Sequence, residues 1–193
     1  IEQYLLTQPV QFTAASRPEP LQTVRAFTVR RDDSHVDAVV QLSNLNTTWG
    51  ALDHVVEVVI GGQSAGSSTV SLAPGQSWIV TRLNVPWTDA ILPRAEVIIH
   101  NAEWRRSPDG AAVVVDTWEY ADASFGYVDG ATSGSVFQSE LSFSMRNASV
   151  VGFREPEVVV LMQDENGAIV AVGSMILSSI NSLETRSVRL LWP

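Results

Sequence analysis

The chain has 193 residues, enough for one large domain or two small ones with separate cores. All 12 basic residues are arginine and stand against 21 acids, a formal charge of −9. A nucleic-acid surface needs a basic patch to displace counterions, so this balance argues against that partner and gives no drive toward anionic lipid.

In chain order, period-two patterns dominate. Segments 10–13 and 24–30 read as strands. A half-buried strand follows, in which Val36, Ala38, Val40 and Leu42 alternate with Asp37, Gln41 and Ser43, and Val39 breaks the pattern on the outward side. Further strands are predicted at 54–60, 77–83, 96–101, 112–120, 137–145, 168–172 and 186–192. Segments 61–68 and 130–135, rich in glycine and serine, read as loops. Residues 87–92, after Pro86, suit one short helical turn, and no other stretch has helical periodicity. Turn chemistry separates the strands at Gly61-Gly62, Pro74-Gly75, Pro108-Asp109-Gly110, Asp129-Gly130 and Asn166-Gly167. In Asp164-Glu165-Asn166-Gly167, the Asn-Gly pair predicts a type I′ hairpin turn.

The chain also repeats itself. Ala38-Val39-Val40-Gln41-Leu42-Ser43-Asn44 returns in pattern as Leu141-Ser142-Phe143-Ser144-Met145-Arg146-Asn147. At the same offset, Val55-Val56-Glu57-Val58-Val59 falls on Val158-Val159-Val160-Leu161-Met162. Short strands broken by turns, given twice, predict an all-β protein of two tandem immunoglobulin-like β-sandwich domains, 1–105 and 106–193. The boundary is placed in the turn-prone stretch Arg105-Arg106-Ser107-Pro108-Asp109-Gly110. Asn44 and Asn147 close their strands, where an asparagine can bond its own downstream backbone. Sequons stand at Asn46-Thr47-Thr48 and Asn147-Ala148-Ser149.

A catalytic reading finds little support. There is no cysteine, which removes thiol nucleophiles, thiolate metal sites and disulfides. Asp32, Asp33, Asp37 and Asp53 lie near His35 and His54, and His100 follows later. No Gly-x-Ser-x-Gly elbow, His-Glu-x-x-His pair or phosphate loop accompanies them. The expectation is no catalytic residue, no metal site and no cofactor.

Aromatic residues offer more. Of the six tryptophans, Trp78, Trp104, Trp118 and Trp192 are expected in cores or between domains, since a buried indole removes a large apolar area from water. Trp49, beside Gly50, and Trp87, after Pro86, are the candidates for contact with a glycan or other ligand. Ahead of the first repeat, Tyr4, Leu6, Val10 and Phe12 form a candidate assembly segment. Pro9 interrupts it and favours an edge strand over a central one.

The second half, through Asn147-Ala148-Ser149, 158–162, Asp164-Glu165-Asn166-Gly167 and Leu191-Trp192-Pro193, resembles bacterial domains of the FxLYD type. The first half, through Asn44-Leu45-Asn46 and Leu72-Ala73-Pro74-Gly75-Gln76, resembles the related LEA14 or water-stress sandwich. The pair resembles uncharacterised envelope-anchored proteins of candidate-lineage bacteria. The FxLYD motif position is held by Val160-Leu161-Met162-Gln163-Asp164, which keeps only the aspartate. The resemblance implies location and architecture and brings no reaction.

No apolar run approaches the roughly 20 residues of a membrane helix. A chain that opens on Ile1 is expected to have been processed or cut, so that an upstream signal or anchor could have been lost. The functional expectation is therefore a non-catalytic protein of the cell envelope or exterior, acting in display, adhesion or assembly through a protein partner or self-association. Two alternatives stay open: a carbohydrate-binding module, and a filament or layer subunit assembled by strand addition.

Overall fold

The computed structural model describes residues 17–100, 103–106, 118–128 and 139–192. Within them the protein is all-β, and its strands pair antiparallel throughout. The first group is β1 (Gln22–Arg30), β2 (His35–Ser43), β3 (Trp49–Ile60), β4 (Gln63–Leu72), β5 (Ser77–Pro86), β6 (Ala95–His100) and β7 (Glu103–Arg106). The second is β8 (Trp118–Tyr127), β9 (Ser139–Asn147), β10 (Phe153–Arg154), β11 (Glu157–Gln163), β12 (Ile169–Ile176), β13 (Ser179–Ile180) and β14 (Thr185–Trp192). Strand pairing among the described residues stays within each group.

The first group forms two sheets, β1-β2-β5 and β4-β3-β6, with β7 also pairing to β3. Between them lies a core of Val36, Ala38, Val40 and Leu42 from β2, Val56, Val58 and Ile60 from β3, and Val70 and Leu72 from β4. The second group repeats this plan with a sheet β14-β9-β8 and a smaller sheet β11-β12. Its core joins Phe143 and Met145 of β9 to Val158 of β11 and to Val188, Leu190 and Trp192 of β14.

A third apolar cluster joins the groups. Val29, Val39 and Val172 are buried together, with Phe27, Ile79, Leu83, Leu161 and Ile169 packed around them. The outer face of β1-β2-β5 thus packs on the outer face of β11-β12, and the sheets stack in four layers. This explains two anomalies of sequence. Val39 faces outward from its own sandwich yet is buried, and residues 158–162 are apolar at every position because both faces of β11 meet protein.

The asparagine repeat is structural. Asn44 donates its backbone N–H to Gln76, just before β5, at 2.9 Å, and Asn147 donates to Glu184, just before β14, at 3.0 Å. The Asn44 carboxamide donates to Trp49 O, Leu72 O and Ala73 O, and its Oδ1 accepts the Asn46 N–H. The Asn147 carboxamide donates to Val151 O and Asn181 O, and its Oδ1 accepts the Ser149 N–H. Both asparagines are fully buried. The sequon asparagines are closed as well, because Asn46 Nδ2 is spent on Glu19 O and Asn44 Oδ1.

Several expectations need correction. Residues 63–68, read as loop, begin β4, which joins β3 through Gly61 and Gly62 at φ 56° and 82°. That pair is the two-residue primed hairpin turn, with Ile60 opposite Gln63. At 164–167 only Gly167 has positive φ, at 81°, and its N–H donates to Asp164 O at 3.0 Å. The type I′ turn is therefore replaced by a longer turn that ends on a left-handed glycine. The Asp164 carboxylate holds it by accepting the Asn166 and Ala168 amides. Residues 87–92 are not helical, and Arg105 and Arg106, read as connection, belong to β7.

Candidate functional site

The histidines do not converge. His35 opens β2, and its Nδ1 lies 3.0 Å from Asp32 Oδ1 and 2.9 Å from Ser34 Oγ. A nucleophilic triad needs serine and carboxylate on opposite ring nitrogens, whereas here both use Nδ1. The cluster instead braces the β1–β2 turn: Asp32 also accepts the Ser34 N–H, which with His35 lowers its pKa to about 2. His54 is fully buried, with Nδ1 against Leu52 O, its ring edge-on to Trp104, and Nε2 without a partner. His100 pairs opposite Val55, so it stands on the other face of the sheet from His54, where its Nε2 meets Glu57 at 2.9 Å. Among the described residues no three His, Asp or Glu side chains gather in a metal-binding group.

The tryptophans are distributed differently from expectation. Trp192 is buried and donates to Val172 O, with its ring over Gly173. Trp104 and Trp118 are half-buried. Trp78, expected in a core, shares the inner face of β5 with Val80 and stands opposite Leu42, yet at the start of that strand it is 43% exposed. Trp49 is half-buried in β3, opposite Arg106. Trp87 is half-buried, its ring packed on Gly61 and its Nε1 donating to Ile91 O. Tyr4, Leu6, Val10 and Phe12 lie outside the described residues.

A slot of about 960 Å³ lies where the two groups meet. One wall is the start of β5 and its neighbour in β2, where Gln41, Ser77 and Ile79 stand on the first group's outer face and Trp78 turns to the inner one. The opposite wall is the inner face of the second group's larger sheet, with Trp118, Tyr120, Leu141, Phe143 and Met145. Phe153 stacks on Trp118 at 5.1 Å, and Tyr120 lies 6.0 Å from Phe143, so this wall is a continuous aromatic surface. Polar groups sit at the rim, in Arg154, Glu155 and Glu157, and Thr81 donates across the junction to Glu157 at 3.5 Å.

Residues 157–161 of β11 all line this slot. Neighbouring residues of a strand point to opposite faces, so a cavity that touches both must wrap the strand's edge. β11 pairs with β12 along one edge, and among the described residues its other edge has no strand. The first group shows what such a position takes. β3 corresponds to β11 in the repeat, and its second edge is covered by β6 and β7. The slot therefore has the place and the backbone edge for one more strand, with an apolar wall on the side of the second group's larger sheet.

Sequence did not single out this site. Its parts are separated along the chain, and only the stacking of the groups assembles them. No family model, curated protein or solved structure matches the chain.

Proposed function

We propose that the chain is a non-catalytic protein of the cell envelope or exterior that works through protein contacts, by accepting an extended polypeptide strand along the edge of β11 that has no partner among the described residues. The supporting observation is the slot itself: a strand edge without a partner among the described residues, set beside the apolar wall of Trp118, Tyr120, Leu141 and Phe143. Main-chain hydrogen bonds to such an edge provide affinity, and pockets for alternate side chains provide selectivity. The envelope location rests on the resemblance to FxLYD-type and LEA14-like sandwiches.

The test is a titration with short, apolar, strand-forming peptides, followed by tryptophan fluorescence and by hydrogen exchange at β11. Bound peptide is expected to protect the amides of residues 157–161, and Tyr120→Glu is expected to abolish the response. A polysaccharide titration serves as the counter-probe. Saturable polysaccharide binding, with no peptide protection of β11, would sink the proposal.

A further inference from the structure

We propose that His54 is an acid-sensitive latch: its neutral ring holds β7 closed over the edge of β3, and a proton on Nε2 releases that strand. The latch is independent of the slot and of the strand-acceptor reading. Three observations carry it.

The first is the state of the ring. Its Nδ1 lies 2.9 Å from Leu52 O, and a carbonyl only accepts, so Nδ1 carries the hydrogen. Nε2 is then the bare, accepting nitrogen, and it is buried without a hydrogen-bond partner among the described residues. The closed structure is built around a neutral imidazole. A proton on Nε2 would place a cation in an apolar core with its new N–H unanswered.

The second is what surrounds the ring. Val70 stands opposite in β4, and Trp104 reaches in from β7, its ring centre 5.0 Å away and nearly perpendicular. The charged groups of the neighbouring strands are engaged elsewhere. Asp53 and Glu103 are exposed, the first taking the Ser71 hydroxyl and the second the exposed Arg105 guanidinium. Glu57 and His100 pair on the opposite face of the sheet. In the facing sheet, Arg82 of β5 donates to Thr81 O and Ser68 Oγ. Among the described residues none of the carboxylates pairs with His54. The attraction of an indole for a cation is weaker than the cost of burying an ion that lacks a hydrogen-bonding partner.

The third is where release falls. β7 has four residues, pairs with β3 alone among the described strands, and packs on the core through Trp104, its other three residues being exposed. β4 and β6, the other neighbours of β3, bury Val70, Leu72 and Ala95 in that core. Leu52, whose carbonyl holds the imidazole, is itself opposite Glu103 of β7, so ring and strand share one anchor. The closed form leaves Nε2 bare and the open form lets water and a proton reach it, so by linkage acid favours opening. Release bares the edge of β3 at residues 49–52.

The experiment is amide hydrogen exchange on the full chain, expressed as protection relative to the unfolded chain, from about pH 8 to about pH 5, which spans the charge change of imidazole in water. Protection at 103–106 is expected to fall by up to about tenfold per pH unit, the limit for one linked proton. Residues 56–60, paired with β6, should keep theirs. The His54 ring resonances should report proton uptake over the same range in which β7 opens. In His54→Phe, which keeps an apolar ring, protection of β7 should not depend on pH. His35→Gln and His100→Gln should leave the fall unchanged.

The latch is overturned if β7 stays protected throughout, if its loss of protection persists in His54→Phe, or if that loss disappears in His35→Gln or His100→Gln. A simultaneous loss at 56–60 also overturns it, since the whole first group would then be unfolding. Should His54→Phe fail to fold, the ring resonances of the unaltered chain decide: proton uptake at a pH where β7 is still closed, or opening without uptake, ends the proposal.

Discussion

Val39 of β2 and Val172 of β12 share one buried cluster across the junction of the two strand groups, at 1% and 0% exposure. Each lies on the outer face of its own sandwich, so each is buried only because the two groups stack. Replacing either by alanine is expected to cost about 2 kcal/mol, from lost burial plus the cavity left behind. The double variant should cost less than the sum, since both deletions open the same space. Denaturant unfolding of the two single variants and the double variant checks this. Strict additivity would mean that the two valines act independently.

Asn44 and Asn147 should respond alike. Alanine at either position leaves buried carbonyls without their donor, and a loss of about 2–4 kcal/mol is expected from each. Aspartate should be worse than alanine, because a carboxylate would face the carbonyls that the carboxamide now serves. Asn166→Ala, in an exposed turn, is the control and should change stability by a small fraction of this.

Gly173 admits no side chain. A Cβ there would stand 2.5 Å from the Trp192 ring, which is buried and held by its bond to Val172 O. Gly173→Ala is expected to cost about 1–3 kcal/mol through overpacking. It should also shift Trp192 emission. Gly126→Ala is the comparison, since a Cβ there meets nothing within 4 Å, and it should leave stability almost unchanged.

Asp32 makes a pH prediction with a definite sign. Its pKa is lowered to about 2, first by the Ser34 backbone N–H and then by His35. A carboxyl group whose pKa is depressed by folding stabilises the fold above its unfolded pKa, near 3.9, and loses that contribution as pH falls through about 2. The Ser34 amide resonance should follow this low titration, and in Asp32→Asn its acid-range shift should vanish. A midpoint near 4 would show that the turn does not hold the carboxylate.

Much of the architecture is legible in the sequence. Alternation in β2 and β9 marks their inward faces, because a half-buried strand must alternate. Gly61-Gly62 marks a hairpin, because only glycine takes two successive positive φ angles at little cost. The start of β4 is hidden, since Gln63-Ser64-Ala65-Gly66-Ser67-Ser68 has the composition of a loop. It is a strand because β3 offers an edge to pair with, and its apolar anchors, Val70 and Leu72, come only at its far end.

What the sequence determined by itself is local and periodic: strand faces, turn positions, and the repeated pattern that gives Asn44 and Asn147 the same role. Tertiary structure alone decided which faces meet. Val39, Leu161 and Val172 look like surface errors in single sandwiches and become a core when the sheets stack. Trp78 has the composition of a core residue and keeps the inward register opposite Leu42, yet stands 43% exposed at the start of β5. The slot depends on an edge that has no partner among the described residues, and hydrogen-bond pairing between strands distant in the chain leaves no periodic trace along it.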